Sequence, residues 1–273
     1  MMKLTLKSTV KLNNGIEIPL LGLGTYKMSK EEAEQATLHA LKTGYRHIDT
    51  ARRYDNEDAV GRAIKKSGIP REDIFVTTKL WITDFLRAER TFEQSRAKLG
   101  LDYVDLYLLH FPVSIVRKKA WKSLEKLYKE GRCKAIGVSN FTISHLTELL
   151  KVTDVVPAVN QVEFHPYLYQ KKLWDFCKSK KIQLEAYSPL THGKRLADPK
   201  LLTIAEKYNK TPAQILIRWH LQKNIVVIPK SVSPQRIEEN ASVFDFDIKE
   251  ADMKKLDNFN ENLRTCWNPE KVP

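Results

Sequence analysis

Residues 74–110 read IFVTTKLWITDFLRAERTFEQSRAKLGLDYVDLYLLH, in which two short apolar runs flank a longer segment with helical spacing. The runs, 74–80 and 104–110, are rich in aliphatic and aromatic residues, which is typical of strands covered on both faces of a parallel sheet. Parallel neighbours need a crossover between them, and a helix is the usual crossover. This stretch therefore predicts a strand–helix–strand unit.

The same alternation continues along the chain after an initial hairpin. Two apolar runs, 10–12 and 16–19, flank Asn14-Gly15, a pair that supplies the positive φ angles of a tight turn. Helix starts are predicted at Ser29, which opens a capping-box-like sequence, and at Thr211, which proline follows. The predicted barrel or sheet strands lie near 20–24, 46–49, 74–80, 104–110, 134–138, 158–162, 182–187 and 225–229.

Eight strands alternating with helices are typical of a TIM barrel or of a long doubly wound sheet. A doubly wound dinucleotide fold would carry the glycine fingerprint G-x-G-x-x-G after its first strand. Here Gly22 and Gly24 are followed by Lys27 where the third glycine would stand. This departure favours the barrel, and the lack of any linker predicts one domain, residues 1–273.

The composition excludes several classes of protein. With 42% hydrophobic and 29% charged residues, the chain is typical of neither disordered nor membrane proteins. The N-terminal segment lacks the continuous apolar core of a signal peptide. Cys133, Cys177 and Cys266 are far apart, which predicts neither a disulfide framework nor a C-x-x-C zinc site. We therefore expect a cytoplasmic protein.

The net charge of +13 comes from 46 Lys and Arg against 33 Asp and Glu. A basic excess can mark a nucleic-acid binder, but here lysines alternate with glutamates along helical segments and no basic arm occurs. Solvated helix faces and an anionic ligand explain the charge better, so no nucleic-acid partner is predicted. The seven histidines show no metal-ligand spacing, and no metal is predicted.

Three ionisable residues stand at the ends of successive predicted strands: Asp49 in HIDTA, Lys79 in VTTKLW and His110 in LYLLHFP. Catalytic groups of βα barrels lie at the carboxyl ends of the strands. Taken singly, Asp49 could cap a helix, Lys79 could lie on the surface and His110 could be a hydrogen-bonded core residue. Three such groups on consecutive apolar strands are costly to bury without partners, which predicts a shared site.

Eight motifs in order resemble the aldo-keto reductase family over almost the whole chain, in particular its branch of 2,5-diketogluconate reductases and prostaglandin F synthases. The resemblance implies a (β/α)8 TIM barrel with an N-terminal β-hairpin, and a catalytic tetrad of Asp49, Tyr54, Lys79 and His110. It also implies a monomer that acts on a small aldehyde or ketone. The motifs are LGLGTYK (21–27), GYRHIDTARRYDNEDAVGRAI (44–64), TTKLW (77–81), YLLHFP (107–112), AIGVSNF (135–141), NQVEFHPY (160–167), AYSPL (186–190) and IPKSVSPQRIEEN (228–240).

The residue types of this tetrad suit carbonyl reduction. Hydride delivery to a carbonyl carbon places negative charge on the oxygen, which must then be protonated. Tyrosine, with an unperturbed pKa of about 10, is a sluggish acid at neutral pH. We expect the ammonium of Lys79, held by Asp49, to lower the pKa of Tyr54. A neutral His110 would donate a hydrogen bond that orients the substrate oxygen.

The resemblance also implies NADPH as the cofactor. Family members bind the nicotinamide amide through residues matching Ser139, Asn140 and Gln161, and stack its ring on an aromatic residue matching Tyr187. Asn and Gln each offer a donor and an acceptor to a carboxamide, although either residue alone could simply belong to a turn or a strand end.

The phosphates of NADPH are expected at the last predicted strand. Lys230 and Arg236 follow that strand and enter a helix, where barrels often bind phosphate, and their charges suit a 2′-phosphate. A charge run can also be a solvated helix face. The remaining predicted cofactor contacts are Gly24, Thr25, Tyr26, Ser188, Leu190, Ser231, Glu239 and Asn240.

The substrate pocket is predicted to be apolar and broad. Its expected walls are Tyr26, Trp81, Phe111 and Trp267, and Phe111 stands where the family usually has tryptophan. The loop at 112–119 and the tail after Trp267 are short, so small or aromatic carbonyl compounds should enter.

Arg53 directly precedes Tyr54, at a position that faces the substrate in this family. Two orientations are open. Arg53 either projects into the pocket, where it would favour anionic substrates, or turns to solvent or pairs with Asp55 or Glu57.

Two other functions compete with the reductase. A non-catalytic NADP(H)-binding regulator on the same fold would keep the cofactor residues, but it would not need the intact tetrad. A metal-dependent barrel hydrolase would need an H-x-H or similar ligand cluster, which the sequence lacks.

Overall fold

Eight parallel strands form a closed barrel in the computed structural model, which describes residues 3–113 and 116–272. Each strand lies beside its predecessor in the chain. Leu21 pairs in parallel with Val227, and the Gly22 amide donates to the Val227 carbonyl at 2.9 Å, which joins the first strand to the last. The predicted (β/α)8 barrel is confirmed. Its strands are β3 (Leu23–Gly24), β4 (His47–Asp49), β5 (Phe75–Leu80), β6 (Val104–Leu109), β7 (Cys133–Ser139), β8 (Val159–Glu163), β9 (Gln183–Tyr187) and β10 (Val226–Val227).

The helices begin where local sequence satisfies their free amides. Ser29 Oγ accepts from the Glu32 amide at 3.1 Å, and the Glu32 carboxylate accepts from the Ser29 amide at 2.8 Å, as the capping box predicts. Thr211 caps a helix whose first residue is Pro212. The helices are α1 (Lys30–Thr43), α2 (Glu57–Ser67), α3 (Ala88–Leu99), α4 (Arg117–Lys129), α5 (Ile143–Leu150), α6 (Lys171–Ser179), α7 (Pro199–Lys207), α8 (Pro212–Gln222), α9 (Pro234–Ala241) and α10 (Glu250–Asp257).

The N-terminal hairpin pairs β1 (Thr9–Lys11) with β2 (Glu17–Pro19) in antiparallel register. Its turn differs from the prediction. We expected a positive φ at both central residues, but only Gly15 has one, 90°, and Asn14 does not. The Gly15 amide donates to the Leu12 carbonyl and the Leu12 amide to Ile16, so the loop is one residue longer than a two-residue turn. In this longer loop a single glycine supplies the left-handed conformation.

Helix α2 crosses the end of α3 at Gly61. A Cβ atom at this position would overlap the carbonyl oxygen of Leu99, the last residue of α3. This close approach packs α2 directly on α3, and α3 in turn lies against β5, which carries Lys79 near its carboxyl end. Glycine is therefore required here by packing, because its helical φ would suit any residue.

Gly61→Ala is expected to lower the free energy of unfolding by about 1–3 kcal/mol, because the added methyl group forces α2 away from α3. In an uncrowded helix the same change stabilises the fold by roughly 0.5–1 kcal/mol, so the sign of the effect is diagnostic. Urea denaturation of both proteins measures it. A gain in stability would show that the two helices can separate without cost.

Candidate active site

Four polar residues converge at the carboxyl end of the barrel. Asp49 is the last residue of β4, Lys79 lies next to the end of β5, and His110 follows β6 directly. Tyr54 ends a 3-10 helix, residues 52–54, that follows β4. Because neighbouring parallel strands end at the same level, the four side chains that the sequence singled out meet in one place.

A buried ion pair forms the base of the site. The Lys79 side chain is fully buried, and its Nζ lies 2.6 Å from Asp49 Oδ1. Nζ also donates to the Thr50 carbonyl at 2.9 Å and to the Tyr54 hydroxyl at 3.3 Å, so all three ammonium protons have acceptors. The second Asp49 oxygen accepts from Gln161 Nε2 at 2.7 Å. The ammonium is thereby fixed directly behind the phenol.

Burial raises the pKa of Tyr54 well above its ordinary value, and the negative charge of Asp49 raises it further. The net shift is therefore upward, opposite to the lowering that we expected, because burial and Asp49 together outweigh any stabilisation of the phenolate by Lys79. Asp49 lies closer to the ammonium than the phenol does, 2.6 against 3.3 Å, and its charge offsets the attraction for a phenolate. Tyr54 consequently keeps its proton throughout the neutral range, as a proton donor must.

The His110 ring lies edge-on to Tyr54, with 5.6 Å between ring centroids, and to Trp81, with 5.1 Å. Burial lowers the pKa of His110 well below its ordinary value, and the charges of Lys79 and Arg53 lower it further. The ring is therefore neutral at pH 7, in agreement with the expectation. Its Nδ1 is buried without a hydrogen-bond partner among the described residues, so we expect the proton on Nε2.

One layer further into the barrel, His47 and Glu185 face each other with 3.7 Å between Nε2 and Oε1. Burial, reinforced by the charge of Asp49, raises the pKa of Glu185 to about 8, and burial lowers the pKa of His47 to about 3. Both groups are therefore mostly neutral at pH 7. Neither adds a charge that would compete with Asp49 for the ammonium of Lys79.

A cavity of about 1120 Å³ opens above the tetrad. On one side its wall is a chain of polar side chains at the ends of β7, β8 and β9. Tyr187 donates to Asn140 Oδ1 at 2.6 Å, Asn140 Nδ2 donates to Ser139 Oγ at 3.0 Å, and Ser139 donates to the Gln161 carbonyl at 2.9 Å. Asn140 also donates to the His110 carbonyl at 3.0 Å and has a left-handed φ of 67°. These residues have fixed orientations.

The cavity extends from the barrel to the N-terminus of α9, where Ser233 Oγ accepts from the Arg236 amide. Lys230 and Arg236 are exposed there and form no ion pair with any described residue. The positive end of the helix adds to their charge. Of the other predicted cofactor residues, the structure places these in the cavity wall: Gly24, Tyr26, Ser188, Leu190, Ser231, Glu239 and Asn240.

Thr25 departs from this pattern. Its side chain is fully buried, its hydroxyl donates to the Asp49 carbonyl at 3.0 Å, and it does not line the cavity. The Thr25 side chain is thus turned away from the cavity, and the cofactor contact of this residue stays a prediction. Thr25 instead fixes the backbone at Asp49, which the motif could not reveal because the neighbours Gly24 and Tyr26 do face the cavity.

Aromatic rings form the outer wall of the cavity. Trp267 lies 5.9 Å from Trp81 and 6.0 Å from Phe111 between ring centroids, and Tyr26 lies 5.0 Å from Tyr54. Trp267 is 64% exposed, so this wall is open to solvent on its outer side. In the short loop at 112–119, residues 114 and 115 lie outside the described residues, and α4 begins at residue 117.

Glu163 is a residue of the site that the motifs did not single out. It is fully buried at the end of β8, and its carboxylate accepts from the Thr265 amide at 2.7 Å, from the Cys266 amide at 3.1 Å and from the Thr265 hydroxyl. These bonds tie the C-terminal segment to the barrel and hold Trp267 over the cavity. The sequence feature that could have identified Glu163 as part of the site is its position at the end of a strand.

Comparisons with known proteins agree with this geometry. The model of the Aldo/keto reductase family matches residues 20–261. A glyoxal reductase of Bacillus subtilis is 50% identical, over 99% of each chain, and a glycerol 2-dehydrogenase (NADP(+)) of Saccharomyces cerevisiae is 44% identical, over 96% of each. The crystal structure of an aldo/keto reductase from Brucella melitensis superposes with a TM-score of 0.90 at 48% identity, over 93% of this chain and 99% of that one.

Two further classes of site are absent from the described residues. Within 3–113 and 116–272, no three His, Cys, Asp or Glu side chains are grouped as metal ligands would be. Over the same residues, no helix combines the length and apolar character that a membrane span requires.

Glu163→Ala is expected to loosen the C-terminal segment and to speed the reaction of Cys266 with a thiol reagent by about tenfold, because hydrogen bonds to a charged acceptor contribute about 1.5–3 kcal/mol. Cys133 and Cys177 are buried, so labelling of the folded protein reports on Cys266. The rate of labelling under native conditions measures the effect. Asp175→Ala, which removes an exposed carboxylate on α6, is the control and should leave the rate unchanged. Equal rates in wild type and Glu163→Ala would contradict the tether.

Proposed function

The chain belongs to the aldo/keto reductase family, and on that premise we propose that it reduces aldehydes and ketones with NADPH, with Tyr54 as the proton donor. It is an oxidoreductase that acts on carbonyl or alcohol groups. The observation that carries the finer proposal is the Tyr54 hydroxyl, which accepts from the buried Lys79 and borders the cavity beside a neutral His110. A non-catalytic binding protein would have no use for this arrangement.

The residues of the cavity fit a nicotinamide dinucleotide. Asn140 and Gln161 provide amide groups beside the tetrad, and the hydroxyls of Ser139 and Tyr187 fix the orientation of Asn140. At the other end, the positive end of α9 and two cations that lack a carboxylate partner among the described residues suit phosphate groups. When bound, NADPH supplies the hydride.

The tetrad would act on the carbonyl oxygen. Tyr54 holds a proton at the hydroxyl, and His110 offers an Nε2–H donor, so the oxygen can accept two hydrogen bonds as negative charge develops on it. Lys79 stabilises the phenolate that remains after proton transfer, because its ammonium already contacts the hydroxyl at 3.3 Å. Asp49 keeps that ammonium in place. Positioned proton donors typically contribute ~100- to 10,000-fold in rate.

The preference for NADPH over NADH is assigned to Lys230 and Arg236. Both line the cavity, and in the described part of the chain neither has a carboxylate partner that would compete for a phosphate. Glu239, further along α9, accepts from the Thr211 hydroxyl at 2.5 Å and is thereby held for a contact with the adenine. A yeast relative at 44% identity carries NADP(+) in its name.

The substrate is proposed to be a small or aromatic carbonyl compound. The rings of Tyr26, Trp81, Phe111 and Trp267 provide an apolar surface, and the open outer side puts little restriction on size. The Bacillus subtilis relative is named for glyoxal, a small dialdehyde, which fits such a pocket. All three cysteines are free thiols, which supports a reducing, cytoplasmic location. That the enzyme acts as a monomer stays a prediction.

Tyr54→Phe is expected to lower kcat for benzaldehyde by two or more orders of magnitude while the affinity for NADPH stays near that of the wild type, because only the proton donor is lost. Turnover and cofactor fluorescence titration measure the two quantities. Tyr128→Phe, on the outer helix α4, is the matched control. Retention of more than a tenth of the turnover, with reduction shown to be rate-limiting, would exclude Tyr54 as the donor.

Arg236→Ala is expected to weaken NADPH binding by about tenfold or more and to leave NADH binding almost unchanged, since a charge-assisted bond to the 2′-phosphate contributes ~1.5–3 kcal/mol. Titration with each cofactor gives the two dissociation constants. Arg90→Ala, an exposed arginine on α3, should change neither. An equal loss for both cofactors would show that Arg236 does not recognise the 2′-phosphate.

A further inference from the structure

The side chain of Arg53 borders the cavity next to the proposed proton donor. Arg53 lies beside Tyr54 in the same 3-10 helix, and its guanidinium carbon is 5.7 Å from the centroid of the Trp81 ring. Trp81 in turn packs against His110. The sequence left two orientations of Arg53 open, and the structure places the guanidinium in the cavity wall, between the aromatic surface and the reacting groups.

Arg53 has no carboxylate partner among the described residues, in contrast to its neighbour. Arg52 Nε lies 2.9 Å from Asp84 Oδ2, which satisfies that cation. The two carboxylates that could have paired with Arg53 have other partners: Asp55 lies 3.4 Å from Lys98 Nζ, and Glu57 accepts from the Thr78 hydroxyl at 2.6 Å. Among the described residues, the structure thus leaves the guanidinium of Arg53 uncompensated at the tetrad end of the cavity.

The charges around the reacting groups make this cation effective. The ammonium of Lys79 is compensated by Asp49 at 2.6 Å, so the positive charge in the cavity wall next to His110 and Trp81 is that of Arg53, while Lys27 lies on the other side, over Tyr26. Its field reaches the reacting groups, since it helps to depress the pKa of His110. The neighbouring walls are aromatic, whereas Arg53 itself is exposed and the outer side of the cavity is open, so an ionic contact made there is partly screened by solvent and salt.

We propose that Arg53 binds the carboxylate of a substrate whose aldehyde or ketone group lies at Tyr54 and His110. The enzyme thereby prefers carbonyl compounds that carry a carboxylate. This inference rests on the proposed reductase function and names the substrate class of that same site. A guanidinium binds a carboxylate with two parallel hydrogen bonds, and contact with Trp81 restricts its plane. The single positive charge of Arg53 balances the single negative charge of a carboxylate, which favours a carboxylate over a doubly charged phosphate.

The test compares three aldehydes of similar shape: 4-carboxybenzaldehyde, its neutral methyl ester and benzaldehyde. The quantity measured is the ratio of kcat/KM for the acid to kcat/KM for the ester. In Arg53→Leu this ratio is expected to fall by about tenfold or more, equivalent to ~1.4 kcal/mol, and any effect of the variant on the chemical step common to acid and ester cancels in the ratio. Arg53→Lys keeps the charge but not the paired donors, and an intermediate ratio is expected.

Arg90→Leu is the control for net charge, because it removes an exposed arginine of α3 that does not line the cavity. Its ratio should equal that of the wild type. An equal fall in Arg90→Leu and Arg53→Leu would overturn the proposal, because the effect would then come from the overall field. A ratio that stays within about twofold in Arg53→Leu would overturn it as well.

A second measurement needs no variant. The product 4-(hydroxymethyl)benzoate should inhibit benzaldehyde reduction more strongly than its methyl ester, and the difference should shrink as NaCl rises to about 0.5 M, as screening requires. Equal inhibition by acid and ester would contradict an anion site.

If the wild type reduces none of the aldehydes, the proposed function fails and this inference fails with it. If it reduces them without preference for the acid, only the inference fails.

Discussion

The buried ammonium of Lys79 is the constraint on which the site depends. Moving a charge of this kind out of water costs several kcal/mol, which only close and complete pairing can offset. The register of β4 and β5 brings Asp49 within 2.6 Å, and the Thr50 carbonyl and the Tyr54 hydroxyl accept the remaining protons. Loss of Asp49 would leave the ammonium unpaired, at a cost of about 3–5 kcal/mol. The pair therefore holds Tyr54 at one defined point of the barrel mouth.

Among the described residues, the charged groups below the cavity are paired or neutral, whereas cations at its rim lack carboxylate partners. Below the cavity, Lys79 is neutralised by Asp49, and Glu185 and His47 are themselves mostly neutral. At the rim, cations without a carboxylate partner in the described part of the chain face the cavity at both ends, with Arg53 beside the proposed proton donor and Lys230 and Arg236 near α9. The interior thus suits the proposed proton transfer, and the rim is suited to anionic groups. Part of the excess positive charge of the chain thus lies at the rim of the cavity, where it can attract anionic groups.

Much of this could be predicted because it depends on local patterns. Apolar runs located all eight barrel strands, and Ser29 and Thr211 marked real helix starts. The sequence also placed polar residues at strand ends, which meet in any parallel barrel. It could not predict that burial and Asp49 would raise the pKa of Tyr54, because that shift depends on how far folding removes the phenol from water and on how close it brings Asp49. Nor could it show that Thr25 points away from the cavity.

By itself, then, the sequence determined the order of strands and helices and the residue types at the strand ends, because periodicity and capping act over a few neighbouring residues. Only the tertiary structure decided which of two adjacent arginines carries a free charge. Arg52 pairs with Asp84, more than thirty positions along the chain, and Asp55 is held by Lys98. Arg53 is left to face the cavity, since ion pairs form between side chains that folding brings together, whatever their separation in sequence.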